Sequence, residues 1–511
     1  MRETWMLPTP PELDEVSVFS RERGTVLDRL LSPFDSGLFR LAGLLLLTPA
    51  LYASLTPSSF AIFAACHAVA ALVLWLPSTT EDEVALRIAA ARKVGDSQGL
   101  QAIIDAGFVV QLLSALVLTA LGTALVRVAT PEGSGAMAAQ IRVYAGFTCV
   151  RAIVWCITGS VRGAVAGLLP QRRLSALRGL QAISEVSVTL AVLSQHRGLL
   201  DLGLAEVAVA VLGLVAAITA VQTAGLSLFP RISSLSLRTV RQIALGPLVS
   251  ARPRQAMLLL AEAAVVGAVV GLPWTEASFF AALMQVCRMS VAASALGSDL
   301  WTPPWPWLVP QQNRDMQRWA LRRHADGVLW PTLLVAVLLA AVGGPLLEQW
   351  LVGLTHRPIW PHLLCFWPPL AAVLCFAGPT LAQQKPVRVL VLWPLAVLAT
   401  ALSVTLASSA LGVVGAAWAT VLTLLLAAVV FGWQACSNMN EPPIAFWWSR
   451  AWRGALVALP AIATGGIFWA VRTVRSPRDL VLQLGIISIL FCVPAFAAWA
   501  LLDPQPGPGS R

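Results

Sequence analysis

The chain has 511 residues, of which 57% are hydrophobic and 12% are charged, and its mean hydropathy is +0.76. This composition excludes a soluble fold, because about a quarter of the residues in a typical globular domain are charged. The formal net charge of +10 fits arginine-bearing loops that face an anionic membrane leaflet, and no polar stretch is long enough to form a nucleic-acid-binding module.

Apolar stretches of roughly twenty residues follow one another along nearly the whole chain. A helix of that length crosses a hydrocarbon core about 30 Å thick. The pattern therefore predicts an all-α integral membrane protein with about fourteen transmembrane helices. The predicted spans cover residues 38–55, 58–76, 103–126, 143–160, 180–196, 202–225, 256–273, 277–297, 327–347, 361–382, 387–408, 411–433, 454–471 and 480–502.

The segments between and around the spans complete the predicted domain organisation. The polar N-terminal arm, residues 1–36, has prolines and charges of both signs but no apolar core of a signal peptide. We predict an N-lobe, a basic linker, a C-lobe, two extra spans and a C-terminal tail. These cover residues 37–225, 226–255, 256–433, 454–502 and 503–511.

Basic residues gather in every second gap between spans. They include Arg92 after span two, Arg162 after span four, Arg238 after span six and Arg314 after span eight. The gaps after spans one and seven contain none, and only the last odd gap, residues 472–478, departs from the pattern. Because basic loops stay in the cytoplasm, we predict that both termini and the arm are cytoplasmic.

A weak internal repeat divides the predicted spans into two sets of six. The basic segment 90–96 leads into span three, and the basic segment 310–318 leads into span nine, the same place in a second set of six spans. Many transporters are built from such repeats around a central path. We therefore predict two six-helix lobes in pseudo-symmetric repeat, followed by two C-terminal helices.

Three segments resemble motifs of the multidrug/oligosaccharidyl-lipid/polysaccharide exporter superfamily. Residues 55–63 (LTPSSFAIF) resemble its junction between spans one and two, although Ala61 replaces the glycine found there. Residues 91–96 (ARKVGD) resemble its loop after span two, and residues 411–420 (LGVVGAAWAT) resemble its span twelve, which is rich in small residues. The layout of about fourteen spans is similar to that of the lipid-linked oligosaccharide flippase branch.

This resemblance implies a function as well as a fold. A member of the flippase branch moves lipid-linked oligosaccharide or polysaccharide precursors, such as those of lipopolysaccharide O-antigen, from the cytoplasmic to the periplasmic leaflet of the bacterial inner membrane by alternating access. Its expected partners are membrane lipids, a polysaccharide polymerase and glycosyltransferases, with no nucleic acid. A multidrug exporter of the same superfamily is the alternative, and a membrane enzyme or assembly partner of a polysaccharide synthase is an alternative of another class.

Three arginines within or beside spans are candidate substrate-binding residues. Arg151 and Arg288 lie near the middle of spans four and eight, and Arg40 lies at the cytoplasmic end of span one. A guanidinium binds phosphate oxygens bidentately and stays charged, so these side chains suit the pyrophosphate of a lipid-linked sugar. The alternative for Arg151 and Arg288 is a structural pair with a carboxylate, and for Arg40 it is snorkelling to the interface.

Three glutamates within spans are the acidic counterparts. Glu185, Glu206 and Glu262 lie in spans five, six and seven, where a carboxylate can carry a coupling proton, hold sodium or pair with an arginine. We interpret His67 in span two as a hydrogen-bonded packing residue. The sequence shows no catalytic constellation, phosphate-binding loop, metal-ligand spacing or cofactor motif, so we expect a protein that is not an enzyme.

Overall fold

The computed structural model describes residues 37–129, 135–168, 171–195, 197–223, 236–250, 253–301, 314–351, 365–384, 386–438, 441–471 and 477–502. In these ranges the regular secondary structure is helical and contains no strand, which confirms the predicted fold class. The helices are α1 (Gly37–Ser54), α2 (Pro57–Val94), α3 (Ser97–Ala129), α4 (Gly135–Leu168), α5 (Gln171–Ser194), α6 (Leu199–Thr223), α7 (Leu237–Ser250), α8 (Pro253–Gly271), α9 (Trp274–Trp301), α10 (Arg314–Trp350), α11 (Trp367–Gln384), α12 (Pro386–Asn438), α13 (Pro443–Val471) and α14 (Pro477–Leu502).

Every predicted span overlaps one of these helices. Among the described residues, 8 helices contain an apolar stretch long enough to cross a membrane, and shorter ones on α5, α8 and α11 coincide with spans five, seven and ten. The stretch on α12, Leu392–Ser437, has 46 residues and is interrupted by Gly412 at φ 64° and ψ −151°. Since one crossing needs about 20 residues, α12 comprises spans eleven and twelve, and glycine tolerates the left-handed φ where they join.

Capping residues set both ends of the long helix α2. The Thr56 hydroxyl accepts a hydrogen bond from the Ser59 backbone N–H at 3.2 Å, and Pro57 is the first helical residue. At the other end, Gly95 adopts φ 76° and donates its N–H to the Arg92 carbonyl at 3.2 Å. The 38 residues between these caps extend about 57 Å. The helix therefore continues well beyond a hydrocarbon core and carries its later, charged turns outside it.

The helices pack in two groups that share one interface. In the N-lobe (α1–α6), α4 packs against α2, α3 and α6, and α1 packs against α5. In the C-lobe (α8–α12), α12 packs against α8 and α11, and α10 packs against α9 and α11. The second and third spans of each lobe also contact each other: these are α2 and α3 in the N-lobe and α9 and α10 in the C-lobe. The lobes meet where α1 and α2 contact α8 and α9.

Buried apolar side chains join the lobes at the end of the molecule that carries the α1–α2 and α8–α9 turns. Leu55 and Phe60 belong to the same buried cluster as Leu272 and Phe280. Both turns lie in gaps without basic residues, so this end is the predicted periplasmic end. The lobes are therefore in direct contact on that side.

The remaining helices flank the two lobes. α13 and α14 pack against α10, and α7 packs mainly on α2 and α3. Ile243 of α7 is fully buried in a cluster with Val84 and Ile88 of α2. The predicted linker 226–255 thus contains a helix that the sequence analysis did not anticipate. The predicted arm 1–36 and tail 503–511 lie outside the described ranges.

Candidate functional site

Close helix packing brings polar side chains of α2, α4 and α6 together inside the N-lobe. Gly163 of α4 lies so close to α2 that a Cβ added there would be 2.7 Å from the Glu81 carbonyl oxygen. Gly203 of α6 lies against α4, where an added Cβ would be 3.0 Å from the Tyr144 ring. Glycines at such positions let helix backbones approach closely. Tyr144 and Arg151 are seven residues apart and therefore share one face of α4.

Glu206 of α6 is the centre of this N-lobe cluster, which consists of His67, Tyr144, Arg151 and Glu206. Its Oε1 lies 3.0 Å from His67 Nε2, and its Oε2 lies 3.2 Å from Arg151 Nη1. The Tyr144 hydroxyl donates to Oε2 at 3.4 Å. His67 Nε2 also lies 3.2 Å from the Tyr144 hydroxyl oxygen. Several donors therefore share one carboxylate, which offsets the cost of placing it in an apolar environment.

Arg151 is the most exposed member of the N-lobe cluster. Its side chain is 29% exposed, against 13% for Glu206, and Tyr144 is fully buried. Glu185 of α5 accepts a hydrogen bond from Gln181 at 3.2 Å and lies close enough to Arg151 to interact with it electrostatically. Arg151 is near the middle of α4, so its partly exposed side chain lies at a depth where an isolated charge is costly.

The C-lobe holds a second arginine–glutamate pair in a different environment. Arg288 of α9 donates from Nη2 to Glu262 Oε2 of α8, and from Nη1 to Gln285 Oε1 at 2.9 Å. The two charged side chains are only 12% and 8% exposed. Arg288 Nε is buried and has no hydrogen-bond partner in the described part of the chain. This pair is enclosed by protein, and each charge depends on the other.

The structure divides five of the six candidate residues between two sites, one in each lobe. Arg151 is brought to Glu206 and near Glu185, and Arg288 is brought to Glu262, so both arginines adopt the pairing that the sequence left as an alternative. Arg40 lies on α1, but its side chain is outside the described part of the structure. His67 is hydrogen-bonded as expected.

Tyr144 is the site residue that the sequence analysis missed. It is one of only 2 tyrosines in the chain, and its spacing of two helical turns from Arg151 was the available signal. A hydroxyl among so many apolar residues needs a partner when buried, and here the partner is Glu206.

Further ion pairs lie toward the predicted cytoplasmic ends of the helices. Arg162, predicted to lie in a loop, is instead within α4, donates to Glu81 Oε2 at 2.8 Å and stacks 3.8 Å from the Trp155 ring centroid. The ion pair with Glu81 of α2 thus accounts for the charge of Arg162, and no contact with an anionic leaflet is needed. Within the described ranges, further pairs are Arg87–Glu83, Arg322–Glu441 and Arg450–Asp326. Among the residues described, no group of His, Cys, Asp and Glu is arranged to hold a metal ion.

The arrangement in the N-lobe permits one specific chemical exchange. A ligand anion can replace Glu206 at the Arg151 guanidinium, because Glu206 keeps His67 and Tyr144 as donors. The same exchange at Arg288 would leave Glu262 buried without its cation. The N-lobe cluster is therefore the better candidate for binding an anionic group.

Comparisons with known proteins identify the fold. No family model and no curated protein matches the sequence. An inward-facing multidrug resistance MATE transporter of the MOP superfamily matches with a TM-score of 0.58 and 12% identity, over 79% of this chain and 98% of its own. The lipid II flippase MurJ, in an inward closed conformation, matches with a TM-score of 0.58 and 11% identity, over 94% of this chain and 100% of its own.

A third structure is a MOP superfamily transporter from Pyrococcus furiosus, described as having a binding pocket of reverse polarity. It matches with a TM-score of 0.54 and 13% identity, over 81% of this chain and 95% of its own. Similarity at such low identity shows the fold. The chain therefore has the multi-pass, all-α fold of the MOP superfamily transporters, as its sequence motifs had indicated.

Proposed function

We propose that this protein is a flippase that moves a lipid-linked saccharide from the cytoplasmic to the periplasmic leaflet of a bacterial inner membrane by alternating access. The observation that carries the proposal is Arg151, a guanidinium near the middle of a membrane helix whose side chain is 29% exposed. A planar guanidinium binds the oxygens of a pyrophosphate in a bidentate manner. The flippase fold, which covers 94% of this chain, is consistent with such a cargo.

In the proposed cycle, the pyrophosphate takes the place of Glu206 at Arg151. Glu206 remains hydrogen-bonded to His67 and Tyr144, so the exchange does not leave its buried carboxylate without partners. The lipid tail stays in the bilayer while the headgroup crosses between the lobes. Basic loops in alternate gaps support cytoplasmic termini.

Glu206 is also a candidate for a role in coupling, because its charge is paired with that of Arg151. A proton taken up by Glu206 breaks its ion pair with Arg151 and releases the guanidinium for the cargo. Glu185, which interacts electrostatically with the same arginine, is a second candidate for this role. We assign Arg288 and Glu262 to a structural pair. A polysaccharide polymerase and glycosyltransferases remain the proposed partners.

One observation favours a multidrug exporter as the second candidate function. Two carboxylates, Glu185 and Glu206, act on the single guanidinium of Arg151, so the N-lobe site has an excess of negative charge when His67 is neutral. A cationic amphiphile is attracted to such a site, and one of the matching structures is a multidrug resistance transporter.

Reconstituted protein distinguishes the two functions. Proteoliposomes are loaded with a polyprenyl-pyrophosphate-linked saccharide that carries a fluorophore on the sugar, and an impermeant quencher reports the label that reaches the outer leaflet. We expect label that begins in the inner leaflet to become quenchable in liposomes with the protein and to stay protected in empty ones. Transport of ethidium without movement of the labelled lipid would contradict the flippase proposal.

A further inference from the structure

An apolar cavity of about 670 Å³ lies in the outer part of the C-lobe, between α10, α11, α12 and α13. Its walls include Leu333, Val373, Val429 and Ala455, and every side chain that lines it is apolar or aromatic. The volume is that of a small-molecule binding site. Because these helices cross the membrane, a cavity that opens between them meets lipid chains rather than water.

One end of this cavity lies at a polar boundary. Trp433 at the end of α12 and Trp447 in the first turns of α13 line it there, and indole side chains are typical of the membrane–water interface. Arg322 of α10 bonds Glu441, just before α13, at 3.3 Å, and its side chain is 43% exposed. Arg322 precedes the lining residue Leu329 by two helical turns, so it belongs to the same face of α10 as the cavity, beyond the last lining residue.

The length of the cavity fits one leaflet. From Leu329 to Ala340 on α10, the lining residues extend about 17 Å at 1.5 Å per residue. The hydrocarbon part of one leaflet is half of a core about 30 Å thick. The cavity therefore offers an apolar slot for an acyl chain, with a cation at the depth of a phosphate.

We propose that this cavity binds a membrane phospholipid of the leaflet at the Trp433–Trp447 end, with an acyl chain between α10 and α13 and its phosphate at Arg322. The occupant is a resident lipid and not the transported molecule. Among the described residues, none from α1, α2, α8 or α9, which form the interface between the lobes, lines the cavity. The site holds this resident lipid whatever cargo the lobes carry, so the proposal does not depend on the proposed function.

Native mass spectrometry of the purified full chain, released from nanodiscs of phosphatidylethanolamine and phosphatidylglycerol, tests the proposal. Ala451 and Ala455 line the cavity, whereas Ala463 is an exposed residue of the same helix that does not. The wild type and Ala463→Phe should retain one phospholipid. The double variant Ala451→Phe/Ala455→Phe should retain about tenfold less, because displacing even two methylene groups has that effect on affinity. Arg322→Gln should also reduce retention.

A bound lipid in the double variant at the wild-type level, or none in the wild type, would overturn the proposal. A retained mass equal to a polyprenyl phosphate would overturn it too, because the occupant would then be cargo. If the double variant does not fold, the proposal is tested instead by the quenching of wild-type tryptophan fluorescence by phospholipids with brominated acyl chains. The quenchable signal should fall in Trp433→Phe, and an unchanged signal contradicts the site.

Discussion

The two lobes each bury an arginine–glutamate pair, but the surroundings of the pairs differ. In the N-lobe, Glu206 receives His67, Tyr144 and Arg151, and Arg151 is 29% exposed. In the C-lobe, Glu262 bonds Arg288, and the two side chains are 8% and 12% exposed. The N-lobe carboxylate has donors to spare, whereas the C-lobe carboxylate depends on one cation.

Because of this difference, a ligand anion can replace the carboxylate at Arg151, whereas Arg288 and Glu262 must remain paired. Removing one partner of an enclosed ion pair leaves an uncompensated charge, which costs about 3–5 kcal/mol. A carboxylate with further donors loses only one charge-assisted hydrogen bond. The same residue types therefore predict a binding role in one lobe and a structural role in the other.

The largest expected effect is on the C-lobe pair. Arg288→Met should lower the free energy of unfolding by about 3–5 kcal/mol, because Glu262 is left buried and unpaired. Thermal unfolding of the detergent-solubilised protein measures the loss. Adding Glu262→Gln should restore most of it by removing the charge. A stable single variant would show that Glu262 has other support.

Arg151→Ala should have a smaller effect on stability and a larger one on transport. Losing one hydrogen bond between charged groups costs about 1.5–3 kcal/mol, and His67 and Tyr144 still hold Glu206. We expect normal membrane abundance without flipping in the reconstituted assay. Arg151→Lys is the matched control and should keep partial transport, since it retains the charge but not the bidentate geometry.

The packing of α6 on α4 offers a way to alter the N-lobe cluster without changing its charges. Gly203→Ala places a Cβ 2.9 Å from the Phe147 ring and should cost about 1–3 kcal/mol through overpacking. Gly213→Ala on the same helix is the control, because its nearest neighbour would be 3.9 Å away. Equal unfolding temperatures for both variants would show that the close approach is unimportant.

The smallest expected effect is that of Tyr144→Phe. It removes a hydrogen bond to Glu206 that is 3.4 Å long and should cost about 0.5–1.5 kcal/mol. In a double-mutant cycle with His67→Phe, the two losses of unfolding free energy should not be additive, because both residues contact the same carboxylate. Strict additivity in thermal unfolding would mean that the donors act independently.

Sequence patterns predicted the helices better than the contacts between them. Hydropathy located the spans, because it is a local signal that each segment carries by itself. The pairing of Arg151 with Glu206 was not predictable beyond an alternative, since it depends on how α4 and α6 rotate against each other. Helix α7 was missed because its buried side, around Ile243, is too short to resemble a span.

Flipping by two matched variants, reconstituted at equal amounts, tests the central claim that Arg151 serves the cargo and Arg288 serves the fold. The assay follows the labelled polyprenyl-pyrophosphate saccharide in proteoliposomes. We expect Arg288→Met/Glu262→Gln to flip the lipid at close to the wild-type rate and Arg151→Ala not to flip it. Flipping by Arg151→Ala, together with loss of flipping in the C-lobe double variant, would show that the two arginines have the opposite roles.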